Sequence, residues 1–200
     1  NDLLDVSKID ANQLTLSHQS FCLNDMMQEL YSSYEYKLKE KGKEQIELDV
    51  NFGLDNDRSF IYSDSNRLRQ ILENLLSNAF KFTDEGKIEF GYELQSAGDM
   101  LFYVKDTGIG LSPEEKEYVF DRFRQVEDST NRMSDGTGLG LSISKNLVEL
   151  LGGKMWIQYR KGKGTTFYFT LPHQSDSALQ EKKKTHKEQQ IQKRTQPQNP

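Results

Sequence analysis

The sequence predicts an α+β fold: a two-layer α/β sandwich in which a mixed, mostly antiparallel sheet is covered on one face by helices. Three observations predict it. A regular helical apolar stripe runs through residues 64–82, alternating segments occur in pairs joined by short glycine turns, and the strict strand-helix repeat of a doubly wound sheet is missing.

Taken in order, residues 1–16 carry Leu3, Leu4, Val6 and Ile9 in a short helical stripe that ends near Asn12 and reads as the tail of a longer helix. Asn24 is a candidate N-cap, after which Met26, Met27, Leu30, Tyr34 and Leu38 recur at helical spacing until Gly42 stops them. Ile46, Leu48 and Val50 alternate as a strand, and Phe60-Ile61-Tyr62 form a second. Within 64–82, Leu68, Ile71, Leu72, Leu75, Leu76, Ala79 and Phe80 define one face. Asp84-Glu85-Gly86 turns the chain into alternating segments at 87–95 and 100–105, a hairpin about Gly98-Asp99, with Asp106 directly after the second strand. Ser112-Pro113-Glu114-Glu115 supplies an N-cap, a proline at the first helical position and a glutamate at the third, starting a helix that runs to about Phe123. The stretch 125–137, QVEDSTNRMSDGT, is polar and aperiodic and reads as a mobile loop. A helix over 138–151 then ends at Gly152-Gly153, and strands follow near 154–160 and 165–171.

Bulk properties narrow the function. The 200 residues fit one domain with flanking segments, and the apolar content of 34 % is depleted at the end, where 174–200 hold only Ala178, Leu179 and Ile191 as aliphatics. The charged run EKKKTHKEQQIQKR at 181–194 and the closing TQPQNP mark 174–200 as a linker or disordered tail. A net charge of −5 argues against a nucleic-acid binder, which would carry a basic stripe. The single cysteine, Cys22, forms no internal disulfide and points to a reducing compartment. No apolar run approaches the ~20 residues that cross a bilayer, so no membrane contact is expected in this segment. Starting at Asn1, the sequence reads as cut from a longer chain, with room for an anchor upstream.

Three constellations carry chemistry, and each has a plain structural alternative. Asn74, Asn78 and Lys81, at i, i+4 and i+7, stack along one helical stripe. Asparagine carbonyls suit a hard cation that keeps phosphate and water ligands, and a lysine suits phosphate; the alternative is a solvated helix face. Asp106-Thr107-Gly108-Ile109-Gly110 sets a carboxylate, able to accept from an exocyclic amine, beside two glycines that admit close backbone approach; the alternative is an ordinary turn. Gly136-Thr137-Gly138-Leu139-Gly140 precedes a helix whose free amides favour phosphate; the alternative is a glycine-rich helix entry. Neither the Walker loop nor the dinucleotide pattern fits.

In their joint order these segments resemble the catalytic, ATP-binding domain of a sensor histidine kinase, within the superfamily of gyrase, heat-shock chaperone, histidine kinase and mismatch-repair ATPases. DSNRLRQILENLLSNAFKFT at 64–83 resembles the N-box, DTGIGL at 106–111 and GTGLGLSISKNLVELLGG at 136–153 the two glycine boxes, and VFDRFRQ at 119–125 the phenylalanine box; Gly162, Gly164, Thr165 and Phe167 match a closing G-x-G-T-x-F. NDLLDVSKID resembles the end of the second helix of the dimerisation and histidine-phosphotransfer hairpin. The resemblance divides the chain into that helix end at 1–14, the catalytic domain at 15–173 and the tail. It implies ATP and Mg²⁺ as ligands, Asn78 on the metal with Asn74 supporting it, Lys81 on phosphate and Asp106 on the adenine amine. It further implies that Gly108, Gly110, Gly136, Thr137, Gly138, Leu139, Gly140 and Thr165 line or hinge the site, that 125–137 is the ATP lid, and that Arg132 meets the terminal phosphate. Arg122 and Arg124 are nearby candidates or solvated residues, and Phe120 and Phe123 are expected to pack the lid's base.

The resemblance implies a protein-histidine kinase that hands the γ-phosphoryl group to an imidazole by positioning and charge neutralisation. A gyrase-like ATPase is disfavoured because Asn74 stands where that chemistry needs a carboxylate, and Glu73 points ~100° away around the helix. A non-catalytic nucleotide-binding scaffold is the third reading. His18, His173 and His186 all lie outside an H-E-rich acceptor motif, so the acceptor is expected on the hairpin of the same protein, outside this segment. The implied partners are that hairpin and the receiver domain of a response regulator, in the same chain if 174–200 is a linker of a hybrid kinase. The implied parent is a homodimer anchored in the inner membrane, with this segment in the cytoplasm.

Overall fold

The structure, a computed structural model, describes residues 2–124, 137–160 and 162–173. Its elements in chain order are α1 (Asp2–Asp10), β1 (Gln19–Cys22), α2 (Leu23–Glu40), β2 (Ile46–Asn51), β3 (Phe60–Ser63), α3 (Ser65–Phe82), β4 (Gly86–Leu94), β5 (Asp99–Asp106), α4 (Pro113–Tyr118), α5 (Gly140–Leu150), β6 (Lys154–Arg160) and β7 (Gly164–Pro172). Five strands form one sheet in the order β2-β4-β5-β7-β6, in which only β2 and β4 run parallel. β1 and β3 make a separate antiparallel pair.

Alternation decides which face is covered. Ile88, Phe90 and Tyr92 of β4, Phe102 and Val104 of β5, and Phe167 and Phe169 of β7 are buried under α2, α3 and α5, with Phe102 and Phe169 stacked at 4.7 Å between ring centroids. The residues between them face outward, where Trp156 stacks on Tyr168. The α+β sandwich with a mostly antiparallel sheet is therefore the observed fold.

α3 is the central helix. Leu68, Ile71, Leu72, Leu75 and Leu76 are fully buried, as the periodicity requires, and Asp64 caps the start by accepting the amides of Asn66 and Arg67 at 3.1 Å each. Asp64 also accepts the Ser17 amide at 2.7 Å, which ties the 11–18 connection to the helix. At the other end, Lys43 donates to the carbonyls of Phe80 and Thr83.

Several expectations are corrected. Asn24 is not an N-cap: the cap position is Cys22, two residues earlier, and Asn24 lies inside α2 and is buried, donating to the Leu54 carbonyl and to Asn56 while accepting from the Tyr92 hydroxyl. α4 shows the predicted capping box but stops at Tyr118 rather than near Phe123. α5 begins at Gly140, not 138. In α1, Leu3 and Leu4 are exposed and the buried side chain is Asp5, held by Arg67 at 3.2 Å and Gln70 at 2.9 Å. The polar strand β1 had no counterpart in the sequence reading. The expected lid, with Arg132 and Gly136, and the tail, with His186, lie outside the described residues apart from Thr137.

Candidate functional site

The end of β5 places the carboxylate. Asp106 is its last residue, paired in register with Thr165 of β7, and both side chains are buried. Asp106 Oδ1 accepts the Gly108 amide at 2.9 Å. Burial pushes the Asp106 carboxyl up to about 6, against the opposing pull of the Gly108 and Thr165 amides, so desolvation outweighs the hydrogen bonds it receives. Beside it Gly164 lets the backbones of β7 and β5 approach closely: its φ is +92°, and a Cβ there would stand 1.8 Å from the Asp106 carbonyl oxygen.

α3 supplies the second wall. Asn74, Asn78 and Lys81 line the same cavity as Asp106, a space of about 240 Å³. Lys81 holds its ammonium 5.1 Å over the Phe82 ring, and the half-buried Asn78 side chain lines the cavity one turn after Asn74. Asn74 donates its amide to Ser144 of α5 at 2.9 Å. The third wall is the start of α5 with Thr137, Gly138 and Gly140, where Thr137 Oγ1 sits 3.3 Å from the Leu139 amide.

Most of the predicted residues therefore meet in one cavity: Asn74, Asn78, Lys81, Asp106, Gly110, Thr137, Gly138, Gly140 and Thr165. Two of the predicted ligand-binding positions do not face it. The Leu139 side chain is fully buried in the core, so its contribution is to seat α5, and Gly108 acts on Asp106 while backing onto the Phe82 carbonyl. Arg122 is engaged elsewhere: it makes two hydrogen bonds to Asp10, at 2.7 and 2.6 Å, which hold the Asp10 carboxyl below its usual range. Arg124 does line the cavity, over the Tyr118 ring. Phe120 packs edge-on against Phe167, whereas Phe123 is exposed, at a φ of 60°.

The sequence reading missed the apolar lining of Phe82, Ile109, Leu111, Val119 and Leu141, whose spacing looks like ordinary core. It also missed Asp2, which reaches the cavity from α1 and accepts from Thr137 Oγ1 at 3.0 Å.

A carboxylate at a strand end, an asparagine-lysine stripe and a glycine-led helix start thus lie around one cavity. The family described as histidine kinase-, DNA gyrase B-, and HSP90-like ATPase matches residues 63–175, more than half of the chain. The chain belongs to that family. Among its relatives, the circadian input-output histidine kinase CikA of Synechococcus elongatus is 38 % identical over 175 residues, covering 88 % of this chain and 23 % of CikA. The autoinducer 2 sensor kinase/phosphatase LuxQ of Vibrio harveyi is 40 % identical over 180 residues, covering 86 % and 20 %. The crystal structure of full-length ShkA in complex with AMPPNP superposes with a TM-score of 0.74 at 30 % identity, over 88 % of this chain and 35 % of that one. The chain thus spans less than a quarter of the length of these two curated relatives, and it corresponds to the ATP-binding catalytic part of a histidine kinase.

Proposed function

We propose that the chain binds Mg-ATP and presents its γ-phosphoryl group to a histidine on the dimerisation hairpin of the parent protein, beyond this segment. The observation that carries this reading is the meeting of Asp106 with Asn78, Lys81 and the start of α5 around one cavity. ShkA, one of the structural neighbours, is in complex with AMPPNP.

The residues fit the ligand at both ends. A buried carboxylate with too few donors accepts from the adenine amine, and Ile109, Leu111 and Leu141 give the ring an apolar wall. Lys81 and the amides that open α5 suit phosphate. Mg²⁺ is held in nucleotide sites by one or two protein oxygens with phosphate and water, and the Asn78 carbonyl, which lines the cavity, would be its ligand here. Bound Mg²⁺ would supply charge neutralisation on the phosphates.

This chain's own work is then to bind and orient. No carboxylate replaces Asn74 as a general base for water, and Glu73 is exposed and turned ~100° from Asn74 around α3, which favours transfer over hydrolysis. Arg132 is assigned to the terminal phosphate, and Gly136 to the glycines that line or hinge the site, on the resemblance alone. Residues 1–14 would continue into the hairpin and 174–200 into a linker, with a receiver domain as the downstream partner and an inner-membrane anchor upstream. The test is transfer of label from γ-labelled Mg-ATP to an added hairpin domain: the chain should label it, and label stable on this chain's own histidines in its place would refute the division of labour.

A further inference from the structure

Asn74 lies where α3 crosses α5, and two positions one turn apart on α5 grip its amide. Its Nδ2 donates to Ser144 Oγ at 2.9 Å, and Ser144 is only 1 % exposed. On the other side a Cβ at Gly140 would stand 2.1 Å from Asn74 Oδ1 and 3.2 Å from Nδ2, so glycine at this position leaves the room in which the amide sits. The amide thus fills the gap between α3 and the first turn of α5.

Asn74 also begins the stripe that continues with Asn78 one turn later and Lys81 at the next. Gly140 is the first residue of α5, the end whose free amides face phosphate. The Asn74–Ser144 bond is therefore a polar link, beside the apolar packing of α3 on α5, between the two walls that the phosphate chain must touch together, whereas Asp106 sits on β5.

We propose that Ser144 is a positioning residue for the phosphate end of the site: by fixing the Asn74 amide it holds the start of α5 at the spacing from Asn78 and Lys81 that a triphosphate bridges. This rests on the nucleotide-binding reading above. Without the hydroxyl, a partly buried amide donor loses its acceptor, and such a loss weakens the coupled interaction about tenfold. Adenosine, held through its base, should not feel the change.

The experiment uses the 200-residue chain as wild type, Ser144→Ala, Asn74→Ala and the double variant, titrated with Mg-ATP and separately with adenosine by ligand-observed NMR. Alanine removes one oxygen from a helical position and keeps helix propensity high, so the Ser144 variant should stay folded. The expected result is about tenfold weaker ATP binding by Ser144→Ala, unchanged adenosine binding, and no further loss when that substitution is added to Asn74→Ala. Wild-type ATP affinity in Ser144→Ala, equal loss for both ligands, or losses that add in the double variant would each overturn the proposal while leaving nucleotide binding intact. A wild type that binds neither ligand would overturn both.

Discussion

Replacing Asp106 by asparagine should make the domain more stable and a worse nucleotide binder at once. The carboxyl titrates at about 6 rather than its ordinary 3.8, because burial disfavours the charge more than the Gly108 and Thr165 amides favour it. Holding the carboxyl at about 6 rather than 3.8 corresponds to roughly 3 kcal/mol at ~1.36 kcal/mol per pH unit, and since asparagine must also be desolvated, a gain of about 1–3 kcal/mol is expected. The folded domain holds this proton more tightly than the unfolded chain, so the wild type loses stability as pH rises from about 4 to about 6 and no more above that. The neutral variant escapes the loss. Its melting temperature without nucleotide should match the wild type near pH 4 and exceed it by roughly 3–8 °C at pH 7.5. ATP affinity should move the other way. Whichever way the new amide turns, its NH₂ faces either the Gly108 amide or the adenine amine, donor against donor, and binding should fall about ten- to a hundredfold. Thermal melts at the two pH values with ATP titrations check both halves. An equal melting difference at both pH values, or a less stable variant at pH 7.5, would refute the reasoning.

Other substitutions probe the remaining walls. Asn78→Ala should make ATP affinity indifferent to Mg²⁺, measured by calorimetry with and without the ion; a variant that responds to Mg²⁺ as the wild type does would remove Asn78 as the ligand. Asp2→Asn removes a carboxylate that lines the cavity beside Thr137, so ATP should bind roughly two- to fivefold tighter and adenosine no differently, with the gain fading at high salt. Leu75→Ala, at a fully buried position of α3, should cost about 2–5 kcal/mol in urea unfolding; a loss well under 1 kcal/mol would contradict the packing described for that helix.

Much of this was legible because the signals are local. The stripe of α3, the capping box of α4 and the hairpin at Gly98 each sit within a short window, and three polar residues at i, i+4 and i+7 must share a helix side. What was illegible depends on distant partners. Phe123 donates its amide to the Gly138 carbonyl, so the chain turns after Tyr118 to reach a glycine loop fifteen positions on, and the helix ends early. Asn24 looks like a cap until Tyr92 and Asn56, both remote, claim its side chain. β1 is QSFC, without alternation, and exists because β3 pairs with it. In the site, Asp106 and the asparagine stripe were visible by type and spacing, while Ser144 carries no local signal and only the α3–α5 crossing shows what it touches.

The most direct test of the central claim is titration of this chain with Mg-ATP, followed through the backbone amide resonances. Saturable one-to-one binding, with shifts clustered at Asp106–Gly110, Asn78–Lys81 and Gly138–Gly140, is the predicted result. No saturation at millimolar Mg-ATP, or saturation with shifts confined to other faces of the domain, would contradict it.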